Sequence, residues 1–260
     1  MINLLFPVIG FIHMAVSQDT YDSKTGIPLH YTKQGSGETL ILLHGWLQTG
    51  EFWEPYMKEF GRDHEIYAID LRGHGKTSIL TDDFSIRKAS EDVVSFIRLL
   101  KPGKIKAIGL SYGGLVLLEV MAAHPDLIEK AILIGVSNRF DGQEAAAGKP
   151  PFWYDDLAPE FRDKLLRDHY FGEEQVRALF NPALNYKIDI DHKRLSRIKT
   201  RVLVLNGDRD EMVGIDGAIE IYKNVPEAQL WILPGTGHLI LNEDNRQAFI
   251  LRSMSFLKGP

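Results

Sequence analysis

Two hydrophobic patterns take turns along this chain. Short unbroken apolar runs mark buried strands, and stretches with apolar residues every three or four positions mark one-sided helices. Thr39-Leu40-Ile41-Leu42-Leu43 is an unbroken run and predicts a central strand covered on both faces. Ile27 to Lys33 alternates loosely after a Ser23-Lys24-Thr25-Gly26 turn and predicts a strand; Gly35-Ser36-Gly37 predicts another turn. Phe52 to Phe60 predicts a helix and Glu65 to Ile69 the next strand. Within Phe84 to Leu100, Ile86, Val93, Ile97 and Leu100 form a helical stripe that Pro102-Gly103 stops. Ile105, Ala107 and Ile108 give a buried strand ending at Gly109, and Leu115-Val116-Leu117-Leu118 opens a helix running to about His124-Pro125. Further strands are predicted at Ala131 to Ile134, Arg201 to Leu205 and Gln229 to Leu233, with helices at Ile215 to Tyr222 and Leu239 to Leu257.

Strands alternating with helices imply parallel pairing through right-handed crossovers. The predicted fold class is therefore α/β, a mostly parallel central sheet with helices on both faces. Arg139 to Leu195 breaks the alternation and is rich in aromatics, among them Phe140, Phe152, Trp153, Tyr154, Phe161, Tyr170, Phe171, Phe180 and Tyr186. Leu157, Phe161 and Leu165 sit four apart, so one face of a helix there is expected to be apolar. The expected organisation is a core of residues 1–138 and 196–260 with a small helical cap, residues 139–195, inserted between strands. Most of the aromatics are expected to pack the underside of the cap and some to line an apolar substrate pocket.

Composition narrows the picture. A length of 260 residues suffices for one domain with a large core or for two small ones, and 44% hydrophobic with 25% charged residues is soluble globular chemistry. A formal net charge of −5 argues against a nucleic-acid partner. The absence of cysteine excludes disulfides, thiolate chemistry and a cysteine-based zinc site. Leu4 to Val16 is mostly apolar but too short to span a bilayer as a helix. It has the length of a signal-peptide core, with Ala15-Val16-Ser17 as a small-residue cleavage site. Against that, no Lys or Arg precedes it, and Pro7 and His13 interrupt it. The favoured expectation is an apolar leader plus a first strand in a cytoplasmic protein, with a secreted or periplasmic one as the alternative. No pattern specifies an oligomeric state.

The glycine-rich signals fall at the C-terminal ends of the predicted strands, where ligands gather in such sheets. Gly109-Leu110-Ser111-Tyr112-Gly113 has the form G-x-S-x-G. Between a strand and a helix, this turn forces Ser111 into a strained, exposed position beside free helix N–H groups. Turns with bystander serines share the motif, so its partners decide. Asp210 follows the Arg201–Leu205 strand, with Asp208 competing for the same role, and His238 follows the last strand. A serine hydroxyl needs a base to take its proton, a histidine can take and return it, and a carboxylate fixes the histidine tautomer. Gly75-Lys76-Thr77 looks like the tail of a phosphate loop, but Asp70 stands where that motif needs glycine. No His-Glu-x-x-His or G-x-G-x-x-G after a strand occurs, so neither a metal nor another cofactor is expected.

His44-Gly45-Trp46, Asp70-Leu71-Arg72-Gly73-His74-Gly75, Gly109-Leu110-Ser111-Tyr112-Gly113-Gly114, Gly207-Asp208-Arg209-Asp210 and Gly237-His238 together resemble the α/β-hydrolase family over nearly the whole chain. The resemblance implies Ser111 as nucleophile, Asp210 rather than Asp208 as the acid, and His238 as the base. It also implies an oxyanion hole from the backbone N–H groups of Trp46 and Tyr112, and structural jobs for His44 and His74. Asp208 is expected to cap a turn, and His30, His64, His124, His169 and His192 to be surface or packing residues. The absence of His-Gly-Gly-Gly implies a short oxyanion loop. Serine at position 111 argues against the epoxide-hydrolase, haloalkane-dehalogenase and dienelactone-hydrolase branches, and the short cap argues against a very large pocket. The expected activity is hydrolysis of carboxylic esters of small or medium apolar acyl groups, with a small-molecule ester as the partner. Perhydrolysis, acyl transfer, peptide, lactone or C–C cleavage on the same residues, and a ligand-binding receptor with a hydrolase shell, remain open alternatives.

Overall fold

The computed structural model describes residues 16–22, 27–100, 103, 105–142, 153–181 and 184–259. The apolar leader before Val16, the Ser23–Gly26 turn, Pro102 and Phe152 lie outside the described residues. The chain opens with strands β1 (Val16–Asp22), β2 (Pro28–Gly35) and β3 (Glu38–Leu43), helix α1 (Glu54–Phe60) and strand β4 (His64–Ile69). Helix α2 (Ile86–Leu100), strand β5 (Ile105–Leu110), helix α3 (Tyr112–Ala123) and strand β6 (Ile128–Ile134) follow. Next come β7 (Arg139–Asp141), α4 (Pro159–Asp168), α5 (Gly172–Leu179), β8 (Lys187–Asp189) and α6 (His192–Leu195). The chain closes with β9 (Arg201–Gly207), α7 (Asp216–Asn224), β10 (Ala228–Leu233) and α8 (Glu243–Lys258).

Eight strands form one sheet in the order β1-β2-β4-β3-β5-β6-β9-β10. β2 pairs antiparallel with β1 and β4, and the remaining neighbours are parallel. Side chains alternate across the sheet with a period of two. Ile41 and Leu43 of β3 therefore join α2, α3 and α7 on one face, whereas Leu40 and Leu42 join α1 and α8 on the other. Cover on both faces is why β3, β6 and β9 contain unbroken apolar runs, Leu40–Leu43, Ala131–Ile134 and Val202–Leu205.

Two elements depart from the expectation, and the first described strand, β1, starts at Val16 with Ser17, Gln18, Asp19 and Thr20 exposed. A polar edge strand carries no apolar alternation to read. The closing helix starts at Glu243 rather than Leu239, because Asn242 and Asn245 exchange side-chain and backbone hydrogen bonds at 3.2 Å in a capping box. Leu239, Ile240 and Leu241 precede it as irregular chain along a cavity. Leu157 lies outside α4 in extended backbone, so its spacing from Phe161 is not helical, and Phe161 stays 38% exposed. Among the described residues no helix is long and apolar enough to cross a membrane.

The segment between β6 and β9 is tied at its base and again at its far side. At the base, Asn138 and Ile190 exchange two hydrogen bonds of 2.9 and 3.0 Å, and β7 pairs with β8. At the far side, buried Gln175 of α5 places its Nε2 at 2.8–3.2 Å from the carbonyl oxygens of Gly73, Gly75 and Ser78. Its Oε1 accepts from the Phe171 N–H at 2.9 Å. Replacing it strands several buried polar groups, each costing about 1–3 kcal/mol when unpaired. Gln175→Leu is expected to lower unfolding free energy by roughly 2 kcal/mol, read from the urea midpoint. An unchanged midpoint would mean that water serves these groups equally well.

Candidate active site

The site is built where β3, β5, β6, β9 and β10 end. Ser111 sits between β5 and α3 at φ 48°, ψ −112°, a backbone conformation that few side-chain-bearing residues adopt. The turn can be this tight because of its glycines. A Cβ on Gly109 would lie 2.6 Å from Gly113 O, and one on Gly113 would lie 2.5 Å from Leu43 O. The neighbouring strands hold the turn: Ser111 N–H donates to Ile134 O at 2.7 Å and Gly113 N–H to His44 O at 3.0 Å.

His238 follows β10 and points its Nε2 at Ser111 Oγ, 3.0 Å away. Its Nδ1 lies 2.9 and 3.1 Å from the two carboxylate oxygens of Asp210, after β9. An ionised carboxylate only accepts, so Nδ1 carries the proton and Nε2 keeps a lone pair for the serine hydroxyl. Burial opposes charge on Asp210, but the hydrogen bonds from His238 and from the Val213 and Met212 N–H groups outweigh it. The carboxyl is held below its usual range. Asp208 plays no part in this line: its Oδ1 accepts from Thr236 N–H at 3.2 Å, the turn-capping position expected from the sequence. Glu211, which the sequence did not single out, accepts from the backbone N–H of His238 at 3.3 Å.

The turn after β3 completes the rim. Gln48 N–H donates to Gly45 O at 3.2 Å, Gly45 N–H donates to Gln48 Oε1 at 2.9 Å, and Leu47 between them sits at φ 63°. Leu47 N–H donates to His74 Nε2 at 3.2 Å, and Leu71 N–H to His44 Nε2 at 3.0 Å. The second nitrogens, His74 Nδ1 and His44 Nδ1, donate to Arg72 O at 3.0 Å and Gly45 O at 2.7 Å. Each ring thus accepts one bond and donates one, which only neutral imidazole does. Burial lowers the His44 pKa to about 4. Burial, with repulsion from His44 and His169, takes His74 well below its ordinary value. The N–H groups of Trp46 and Tyr112 have no acceptor among the described residues.

Asp70 ties this rim to the sheet's other half. It is buried and accepts from Gly50 N–H at 2.7 Å, Lys76 N–H at 2.9 Å and His30 Nδ1 at 2.9 Å. His30 is therefore a bonded partner of Asp70 and not a mere packing residue. Nothing in the local sequence of β2 marks it, because the pairing crosses between strands. Beside it, Arg72 and Asp92 form a buried two-pronged pair at 2.8 and 3.0 Å.

A cavity of about 550 Å³ opens onto Ser111 and His238. Trp46, Leu47, Phe52, Leu110, Phe180 and Ile240 make much of its wall, and among the described residues no Asp, Glu, Lys or Arg lines it. Of the aromatics expected to line a pocket, Trp153 and Phe180 do, whereas Tyr154 packs with Leu157, Leu165 and Val176.

A mostly parallel sheet with helices on both faces and a serine on a strand–helix turn beside a histidine is the architecture of an α/β hydrolase. Residues 40–250 match the model of the alpha/beta hydrolase family, and the chain belongs to that family of hydrolytic enzymes. An (E)-2-((N-methylformamido)methylene)succinate hydrolase from Acinetobacter baylyi is 32% identical over 111 residues, 42% of this chain. That match spans only 42% of the relative's own length. A putative esterase/lipase from Haemophilus influenzae is 26% identical over 252 residues, covering 86% of this chain and 85% of that protein. The crystal structure of an esterase from Rhodococcus sp. ECU1013 superposes with a TM-score of 0.72 at 22% identity, covering 94% of this chain and 99% of that one.

The buried imidazoles make a stability prediction. An unfolded His44 takes up its proton near 6.5, the folded one only near 4, so the unfolded state binds more protons between these values. Stability then falls as pH drops through that window, on the order of 3 kcal/mol from His44 alone, with His74 adding in the same direction. The urea midpoint is expected to fall markedly between pH 7 and pH 5. Identical midpoints would contradict the neutral, buried assignment.

Proposed function

We propose that the chain is a serine hydrolase that cleaves carboxylic esters of small or medium apolar acyl groups. The observation that carries this reading is the hydrogen-bonded line from Ser111 Oγ through His238 to Asp210. In the first step Ser111 Oγ attacks the ester carbonyl while His238 Nε2 takes the hydroxyl proton. Asp210 holds the imidazole tautomer and stabilises the imidazolium. The tetrahedral oxyanion rests on the free N–H groups of Trp46 and Tyr112, donors of a kind typically worth a few kcal/mol each. His238 returns the proton to the leaving alkoxide, the alcohol departs, and an acyl-serine remains. Water then gives its proton to His238 and attacks the acyl carbon; His238 passes that proton to Ser111 Oγ as the acyl–oxygen bond breaks, which releases the acid and restores Ser111.

Residues 139–195 serve as a lid over this site, reaching the cavity through Trp153, Leu179 and Phe180. Among the described residues the wall is mainly apolar and carries no Asp, Glu, Lys or Arg, which supports a hydrocarbon-rich substrate, because a charged group there would lose its hydration without a partner. The name esterase/lipase borne by the Haemophilus influenzae relative points the same way.

An organophosphonate is expected to form one adduct, located by mass on Ser111. A short-chain aryl ester should be hydrolysed, and Ser111→Ala should lower kcat/KM by roughly a thousandfold or more. A loss of only a few-fold would remove Ser111 from the nucleophile role. Asp210→Asn should slow turnover by about a hundredfold or more, and Asp208→Asn by less than about threefold. Equal losses in the two variants would reopen the choice of acid.

A further inference from the structure

Gln48 is satisfied at one end of its carboxamide and not at the other. The Gly45 N–H needs an acceptor, so the oxygen of the carboxamide faces it, at 2.9 Å. The nitrogen then faces away from Gly45 and has no acceptor among the described residues, and Gln48 lines the cavity that holds Ser111 and His238. The side chain is also held in place. Its own backbone N–H closes the turn onto Gly45 O, and the next residue back, Leu47, is kept at φ 63° by its hydrogen bond to His74. Strained backbone that persists at a site marks a position fixed by its surroundings.

We propose that Gln48 Nε2 is a substrate-binding donor, and that the preferred esters carry a second, uncharged acceptor oxygen on the acyl or the alcohol arm. The proposal rests on the ester-hydrolase reading of Ser111. A fixed N–H donor on a wall whose other described side chains are mainly apolar, Asn181, Ser111 and His238 apart, discriminates by what it loses. Against plain hydrocarbon its N–H gives up water and gains nothing, whereas an ether, hydroxyl, keto or second ester oxygen replaces that water. A charged acceptor is disfavoured because no Lys or Arg among the described residues lines the cavity to offset its desolvation.

The test compares matched esters that differ by one oxygen: 4-nitrophenyl pentanoate with its 3-oxa and 4-oxa isosteres, and butyl with 2-methoxyethyl pentanoate. Each kcat/KM is divided by the ester's hydroxide-catalysed rate, which removes intrinsic reactivity. At least one oxygen-bearing partner is expected to be preferred by roughly tenfold. Gln48→Glu keeps an acceptor for the Gly45 N–H and removes the donor, so the preference should shrink to within about twofold of unity. Gln48→Met, which removes the donor without adding charge, should show the same collapse. No preference in any pair, or a preference that survives both substitutions, overturns the proposal. If Ser111 takes an organophosphonate label but no pair is discriminated, the hydrolase reading stands and the Gln48 assignment falls. If Ser111 takes no label and no ester is cleaved, both fall.

Discussion

The backbone of a single residue constrains the site more than any side chain does. Ser111 in its left-handed conformation carries a cost of order 1–3 kcal/mol, and the surrounding chain has to over-determine it. The two strands flanking β5 do so from opposite sides. β3 and its following loop crowd Gly113 through the carbonyls of Leu43 and His44, and β6 receives the Ser111 N–H at Ile134. A serine in this geometry needs a parallel neighbour on each side, and the sheet order gives β5 both. The hydroxyl is thereby aimed before any partner arrives, and His238 needs only to reach it.

The histidines divide by their hydrogen bonds. His44 and His74 each accept a backbone N–H and donate to a backbone carbonyl, and this fixes two loops while removing both rings from proton chemistry. His238 has a carboxylate on one nitrogen and a hydroxyl on the other, an arrangement suited to moving a proton. The same side-chain type thus serves as mortar in one place and stands between a hydroxyl and a carboxylate in another.

Much of this was legible in the sequence because the relevant patterns are local. Central strands covered on both faces become unbroken apolar runs, and the strand–helix turn announces itself through glycines at fixed spacing around Ser111. The choice between Asp208 and Asp210 needed the family pattern, since both follow β9, and the coordinates separate them by their partners. Hidden from the sequence were features made by contacts between distant segments. The polar edge strand β1 pairs through its backbone, His30 meets Asp70 across the sheet, and Gln48 owes its orientation to a backbone donor three residues earlier. The four-residue spacing of Leu157 and Phe161 did not mark a helical face, because the helix begins only at Pro159.

The paired stem at Asn138–Asp141 and Lys187–Ile190 has an entropic consequence. Its ladder and flanking hydrogen bonds bring the ends of the inserted segment together, and β6 meets β9 directly below. The entropy of joining those strands is therefore set chiefly at the stem and changes only logarithmically with whatever chain lies beyond it. The segment above the stem can therefore be lengthened, shortened or replaced at little cost to the pairing of β6 with β9.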